Sequence, residues 1–160
     1  IPLVIPGRLI GQGGCTGRMA SVEGQFRSCN RHGDGKPRLV LSVYVKEVRF
    51  LDAGWPVDCT DNNQAFLDGF ICKAPVYRKT PKGREIADVI LAVNRAHGRS
   101  DYIPCIVWGR DAQDMARLGV GAAVRVLGRI QSREYVKVLS DTEQETRVAY
   151  EVSAIEVGIG

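Results

Sequence analysis

Residues 64–160 alternate between strand-like and helix-like segments in the order β-β-β-α-β-β. The predicted strands are Gln64–Cys72, Glu85–Arg95, Asp101–Gly109, Ala123–Tyr135 and Arg147–Val157. A helix is predicted over Asp111–Leu118, with Asp111 capping its N-terminus and Gly119 suiting its exit. So many strands in fewer than 100 residues predict a small closed β-barrel.

The connections fit the same plan. Pro75–Arg84 is predicted to be a connection with a turn at Pro81-Lys82-Gly83, and Ala96–Ser100 a short hairpin loop. Lys137–Thr146 is predicted to be a long polar loop, and Gly128 predicts a bulge or sharp bend inside the fourth strand. Five strands with one helix between the third and fourth indicate the oligonucleotide/oligosaccharide-binding fold, or OB-fold.

The first part of the chain repeats the end of this plan. The similar pairs of segments are Ile1–Arg8 with Ile103–Arg110, Gly24–Ser28 with Gly128–Ser132, and Arg38–Val48 with Arg147–Val157. We therefore predict a partial OB-like repeat over residues 1–58, starting at its third strand, a linker over 59–63 and a complete OB-fold domain over 64–160. The strands missing from the first copy are either truncated or supplied by another chain.

Charge and cysteine content exclude some classes of function. The net charge of +4, from 22 basic and 18 acidic residues, is too small to indicate a nucleic-acid partner by itself. Between Lys73 and Arg84, however, there are five basic residues and no acidic one, which fits either a solvated face or a phosphate-binding one. The five cysteines form no Cys-x-x-Cys pair, and the two histidines lie far apart, so no metal site is predicted. The odd count fits a reducing, intracellular compartment.

No catalytic set, cofactor motif or membrane span is visible. The Gly-rich run Gly11–Gly14 lacks the lysine and the following helix of a phosphate loop. No apolar run approaches the ~18 residues that a membrane helix needs. We therefore predict a protein that is not an enzyme and that uses no cofactor.

Alternation along two strands places aromatic rings among cations. Tyr102 and Trp108 share one side of the third strand. On the fourth strand, one side carries Arg125, Arg129, Arg133 and Tyr135, and the other carries Val124, Val126 and Ile130. Rings that stack bases beside arginines that bind phosphates are typical of a sequence-tolerant groove for a single nucleic-acid strand.

Five segments together resemble the bacterial single-stranded DNA-binding protein family. They are Phe66–Ile71, Pro81–Ala87, Leu91–Arg95, Trp108–Arg110 with Ala112, and Val126–Arg133. The tandem arrangement is similar to that of two-barrel members of this family. The resemblance implies an OB-fold, single-stranded DNA as partner in replication, recombination and repair, and a cytoplasmic, nucleoid-associated protein.

The resemblance also implies site residues. Bases would stack at Tyr102, Trp108 and Tyr135, with His97 in the place of a further ring. Independently of the resemblance, Tyr77, which follows Pro75, is a candidate to line the groove, with a packing role as the alternative. The residues expected to neutralise phosphates are Lys79, Arg84, Arg95, Arg99, Arg110, Arg129 and Arg133. In the first half, Pro6 matches Trp108 and Arg31 matches Tyr135, so that half is expected to have lost its stacking platform.

Partners and alternatives follow from the same resemblance. Family members assemble four barrels, which predicts a homodimer if both halves fold as barrels and a homotetramer if only the second does. The acidic tip by which the family recruits protein partners is not expected after the last strand, which runs to Ile159-Gly160. A primosome-type module that binds proteins through its barrel faces, and an RNA-binding barrel, remain the two alternatives.

Overall fold

The structure, a computed structural model, describes residues 1–33, 35–51 and 62–160. The chain forms two compact units, Ile1–Asn62 and Asn63–Gly160. Most of the predicted linker, residues 59–61, lies outside the described residues.

The first unit is a three-stranded sheet. Strand β1 (Leu3–Val4) is followed by a short 3-10 helix at Gly7–Leu9 and by the long hairpin of β2 (Ala20–Arg31) and β3 (Arg38–Phe50). The strand order is β1-β3-β2, with β1 parallel and β2 antiparallel to β3. Alternate β3 residues Leu41, Val43 and Val45 are buried, so β3 turns one apolar face inward and leaves the other outward.

The second unit is a closed barrel with one helix. Its elements are β4 (Ala65–Ile71), β5 (Val76–Lys79), β6 (Glu85–Arg95), β7 (Arg99–Trp108), α1 (Gly109–Ala116), β8 (Ala123–Val138) and β9 (Gln144–Ile159). The strands pair in the order β4-β8-β9-β7-β6, and β4 also pairs with β6, which closes a ring of five. The chain is mostly strand with one α-helix among the described residues, and the barrel is an OB-fold, as predicted.

The barrel core is made by alternate residues of these strands. Ala87, Leu91, Ile103, Val126 and Val152 are each fully buried. Burial of each of the valine, leucine and isoleucine side chains contributes about 1.5–3 kcal/mol, so these residues stabilise the closed ring. Helix α1 packs Ala112 and Met115 into the same core.

The helix begins two residues earlier than the sequence predicts, and the proposed cap is wrong. Gly109 has a φ of +61°, which lets the chain turn directly from β7 into the helix. Asp111 therefore lies in the first helical turn, and no side chain caps the N-terminus. Its carboxylate still favours the positive end of the helix dipole. The helix ends at Ala116, before the predicted Leu118 and Gly119.

Two predicted loops contain strand. Within Pro75–Arg84, residues Val76–Lys79 form β5, because a turn in which the Gly83 N–H donates to the Thr80 carbonyl oxygen (2.8 Å) folds them back onto β6. Within Lys137–Thr146, β8 and β9 continue to pair up to Val138 and Gln144. The sequence does not reveal these pairings because the side chains of both segments are exposed on both faces, while the pairing itself is made by the backbone.

Cys105 provides a test of the packed core. Burial, with a smaller contribution from the Glu151 carboxylate, raises the pKa of its thiol to about 12. The folded protein then holds a proton that the unfolded chain loses above its ordinary value of about 8.5, so stability falls as pH rises from about 9 toward 12. We expect Cys105→Ala to remove a slope of up to about 1.4 kcal/mol per pH unit in that window, measured by urea unfolding at successive pH values. Equal slopes for both proteins would contradict the buried thiol.

Candidate nucleic-acid interface

One outward face of β7 carries two aromatic rings. β7 pairs with β6 from Arg99 to Trp108 without a register shift, so Tyr102 and Trp108 lie on the same face. Ile103 and Val107, on the opposite face, are buried in the core. Tyr102 is 44% exposed, while Trp108 is half-buried.

Trp108 is held in place by a hydrogen bond. Its indole Nε1 donates to Ser153 Oγ on β9 at 3.0 Å. Ser153 in turn lies directly opposite Arg129 on β8. A ring, a hydroxyl and a guanidinium therefore form a row across three adjacent strands, and the hydrogen bond restricts the plane that the indole presents.

The β6–β7 hairpin carries four of the predicted site residues, Arg95, His97, Arg99 and Tyr102, and one of them, Arg95, forms an ion pair within the protein. Arg95 lies opposite Arg99, and exposed His97 lies at the tip with a φ of +65°. Arg95 Nε contacts the carboxylate of Asp101 at 2.7 Å, and Asp101 is only 1% exposed. Because an unpaired buried carboxylate would be costly, this ion pair neutralises Arg95 and anchors the hairpin beside Tyr102. Arg99 and His97 stay exposed.

The β5–β6 hairpin forms a second group around the Glu85 carboxylate. Tyr77 donates its hydroxyl to Glu85 Oε1 at 2.8 Å, Gln113 donates to Oε2, and Lys79 Nζ lies 3.9 Å from Oε1. The hydrogen bond from Gln113, followed by the one from Tyr77, lowers the pKa of Glu85. The Tyr77–Glu85 hydrogen bond also raises the pKa of Tyr77. Tyr77 therefore has a structural role at this turn, with its ring still partly exposed.

The β8–β9 arm extends beyond the packed barrel. From Ser132 onward both faces of β8 are exposed, so the predicted alternation no longer separates inside from outside. Tyr135 lies opposite Arg147 and is 41% exposed. Arg133 Nη2 lies 3.6 Å from the buried carboxylate of Glu151, which also accepts a hydrogen bond from Gln131 Nε2 at 2.9 Å.

The predicted cations therefore divide into two sets. Arg95, Arg133 and Lys79 each have a carboxylate partner. The others form no ion pair with any residue that the structure describes, and they are Arg84, Arg99, Arg110 and Arg129. The positive charge of these four guanidinium groups is not neutralised by a described carboxylate, so it can attract a polyanion.

Sequence reasoning missed Ser153, which orients Trp108, and two exposed rings elsewhere. Phe66 and Phe70 project from the outer face of β4, on either side of an ion pair between Asp68 and Arg125 (3.5 Å). The strict alternation from Ala65 to Ile71 could have identified both rings. The Ser153 contact joins residues 45 positions apart, and no local pattern indicates it.

Within the described residues there is no cluster of three or more potential metal-binding side chains. The same residues include no helix that is both long and apolar enough to cross a membrane.

The model of the Single-strand binding protein family matches residues 62–158, more than half of the chain. Curated relatives include the "Single-stranded DNA-binding protein" of Bacillus cereus, 38% identical in an alignment of 80 residues that covers 46% of this chain and 47% of the relative. "Single-stranded DNA-binding protein 1" of Staphylococcus aureus (strain COL) is 41% identical over 80 residues, with 46% and 48% covered. The chain spans about half the length of the curated relatives it matches.

A solved structure shows the same fold. The wild-type single-stranded DNA binding protein from Thermus aquaticus aligns with a TM-score of 0.76 over 99% of this chain and 68% of its own, at 22% sequence identity. At that identity the likeness shows the fold alone.

Proposed function

We propose that this chain, which belongs to the single-strand binding protein family, binds single-stranded DNA without sequence preference by stacking bases on Tyr102, Trp108 and Tyr135. The observation that carries this proposal is the outward face of β7, where Tyr102 and Trp108 are partly exposed on a strand flanked by Arg99 and Arg110, which form no ion pair with any described residue. His97 and Tyr77 would make weaker contacts at the two hairpins.

Stacking selects single strands for a simple physical reason. A duplex hides the faces of its bases, whereas a single strand offers them to any exposed ring. Because every base has a π-face, rings held as Trp108 is held by Ser153 bind without reading the sequence. Such binding would cover and protect exposed strands during replication, recombination and repair.

Phosphate contacts would come from the free cations of the same face. Arg129 lies opposite Ser153 on β9, the strand between β8 and the β7 strand that carries Trp108, so it is placed to contact a phosphate beside a base on that ring. Arg84, Arg99 and Arg110 would extend the track. Arg95, Arg133 and Lys79, which already have carboxylate partners, would contribute less.

The family membership also supports proposals on assembly and compartment. The chain would form a homo-oligomer in the cytoplasm, a dimer if both units act as OB barrels or a tetramer if only the second does, which sedimentation equilibrium can separate. Protein binding is a second candidate function because Phe66 and Phe70 expose apolar rings on β4.

The proposal is tested by titrating the protein with oligo(dT) while following tryptophan fluorescence. The chain has two tryptophans, so Trp55→Phe leaves Trp108 as the reporter. We expect tight quenching by single strands, weak response to duplex, and affinity that falls with salt. Arg129→Gln should reduce the slope of log K against log[salt] by about 0.7, because one phosphate contact is lost.

Arg117→Gln is the matched control, since Arg117 is an exposed residue directly after helix α1, 3.9 Å from the carboxylate of Asp114. Its salt slope should equal that of the parent protein. Equal affinity for duplex and single strands would overturn the proposal, and stronger competition by oligo(rU) than by oligo(dT) would favour an RNA-binding barrel instead.

A further inference from the structure

The first unit reproduces the strand pairing of β7, β8 and β9 residue by residue. The parallel pairs are Leu3–Val43 and Val4–Tyr44 in the first unit, and Cys105–Val152 and Ile106–Ser153 in the second. The members from β7 lie 102 positions after those of β1, and the members from β9 lie 109 positions after those of β3. This constant offset makes Tyr44 the counterpart of Ser153.

The bulges agree with this correspondence. The antiparallel register shifts at Glu23/Gly24 in the first unit and at Leu127/Gly128 in the second. At each glycine an added Cβ would lie 2.2 Å from a carbonyl oxygen, that of Tyr44 for Gly24 and that of Ser153 for Gly128. Both glycines are thus required by the same close approach of two strands.

The two units place their aromatic ring on different strands. In the second unit, Ser153 on the last strand accepts the indole N–H of Trp108. In the first unit, the residue that matches Trp108 is Pro6, and the ring is instead on Tyr44, which is 39% exposed. The partly exposed ring therefore lies on β3 in the first unit and on β7 in the second. The sequence-based expectation that this half has no platform considered only the positions of Trp108 and Tyr135.

One arginine lies over this ring, and two more lie further along the hairpin. The Arg27 guanidinium carbon lies 4.4 Å from the centroid of the Tyr44 ring, and Nη2 donates to Gln25 Oε1 at 2.7 Å. Arg27 Nε is buried and forms no hydrogen bond with any described residue. Further along the hairpin, Arg31 and Arg38 lie directly opposite each other, and like charges in that position repel.

No carboxylate lies on the strand segments that carry these residues. Residues 25–31 and 38–44 contain no aspartate or glutamate, and the nearest acids on the strands, Glu23 and Glu47, pair with each other beyond the bulge. A phosphate chain would relieve the repulsion between Arg31 and Arg38, and a base can stack on a ring or on a guanidinium plane.

We propose that the outward face of β2 and β3 is a second binding surface for single-stranded DNA. On this surface, the hairpin face of Gln25, Arg27, Arg31, Arg38 and Tyr44, a base stacks against the Tyr44–Arg27 pair and phosphates contact Arg31 and Arg38. The choice of DNA as the ligand rests on the proposed function, but the surface itself is independent of Trp108.

Cys29 provides a local reporter for this surface. It is an exposed free thiol between Arg27 and Arg31, opposite Val40. The full chain with Trp55→Phe is mixed with oligo(dT) of about 30 nucleotides, which exceeds the ~16 nucleotides that one OB-fold covers at most. The rate of Cys29 alkylation is read by peptide mass spectrometry, and Trp108 quenching is read in the same samples.

We expect oligo(dT) to protect Cys29, and duplex DNA to protect it much less. Arg27→Gln and Tyr44→Ala should each raise the oligo(dT) concentration for half-protection by about fivefold or more, as expected for loss of one stacked base. Tyr44→Phe keeps the ring, so oligo(dT) should protect Cys29 in this variant as well as in the parent protein. Arg49→Ala, which removes a cation from the same hairpin beyond the Glu23/Glu47 pair, should leave it unchanged.

The outcomes separate this surface from the site on β7. Quenching of Trp108 without protection of Cys29 would overturn the second surface and leave the proposed function intact. Protection without quenching would support the second surface and reject the β7 site. Absence of both signals would overturn both proposals. Protection of Cys29 that is unchanged in Arg27→Gln and Tyr44→Ala would overturn the second surface alone.

Discussion

Replacing Tyr102, Trp108 and Tyr135 together by alanine is expected to weaken binding of oligo(dT) by at least about a hundredfold. Each stacked base contributes about 1–3 kcal/mol on loss of its ring, so three rings contribute about 3–9 kcal/mol if their effects add. The lower bound already corresponds to more than two powers of ten in affinity. Because the triple variant lacks Trp108, anisotropy of a labelled oligonucleotide is the measurement.

The single variants should differ in a way that the structure specifies. Tyr102 and Tyr135 are exposed, so their loss should lower affinity with little change in stability. Trp108 is half-buried and bonded to Ser153, so Trp108→Ala should lower both. Ser153→Ala keeps the ring but frees its orientation, and should weaken binding by less than the loss of the ring.

Phe66→Ala is the matched control for these variants. Phe66 is 66% exposed, more than any of the three rings, but it lies on β4 beside the Asp68–Arg125 ion pair. Its removal should leave the affinity for oligo(dT) within about twofold of the parent. If Phe66→Ala weakens binding as much as Tyr102→Ala, the β7 face is not the stacking surface and the DNA path must run over β4.

The barrel could be predicted from sequence because its main signals are local. The apolar run Glu85–Arg95 has the bounds of β6, and Gly128 marks the register shift of β8 as predicted. Side-chain periodicity indicates such strands directly. β5 and the end of the β8–β9 arm, beyond the predicted bounds Tyr135 and Arg147, were missed because they are held by backbone pairing across turns, and their side chains are exposed on both faces.

The site could be predicted only in part, and Arg95 illustrates the reason. A basic residue beside a hairpin tip is a plausible phosphate ligand, yet Arg95 contacts buried Asp101. Alternation gives a hint, since Asp101 shares its face of β7 with buried Ile103 and Cys105. That a carboxylate lies there, and therefore needs a cation, follows only when burial is known.

Tyr44 lies at a position that the motif comparison did not consider. The motif comparison assigned rings position by position and found Pro6 and Arg31 in the first half, so it predicted no platform there. The structure shows an exposed ring on the neighbouring strand with a guanidinium over it. A stacking function depends on where rings lie in space, and two adjacent strands can supply the same surface.

Gly128→Ala is expected to have the largest effect on folding of the second unit. A Cβ at this position would lie 2.2 Å from the Ser153 carbonyl oxygen and 3.0 Å from Val152 Cγ1. Ordinary overpacking of a core costs about 1–3 kcal/mol, and here the obstacle is backbone, which cannot move aside as a side chain does. We expect a loss of about 3 kcal/mol or more in the free energy of urea unfolding, and Gly128→Val should prevent folding of the barrel.

Gly119→Ala is the control for the glycine change itself. No atom lies within 4 Å of a Cβ added there. Since its φ is not positive, alanine should be neutral or stabilise by about 0.4–1 kcal/mol through the unfolded chain. Equal unfolding midpoints for Gly128→Ala and Gly119→Ala would show that the strands can separate at the bulge without cost.

The same substitution should also disturb the DNA-binding face, because the displaced carbonyl belongs to Ser153. A shift of Ser153 moves the hydroxyl that accepts the indole N–H of Trp108, so the ring loses its fixed plane even in molecules that still fold. At a temperature where Gly128→Ala remains folded, oligo(dT) should therefore quench its Trp108 fluorescence less and bind it more weakly, as we also expect for Ser153→Ala. A folded Gly128→Ala protein with full affinity would separate the bulge from the position of Trp108 and leave Gly128 a purely structural role.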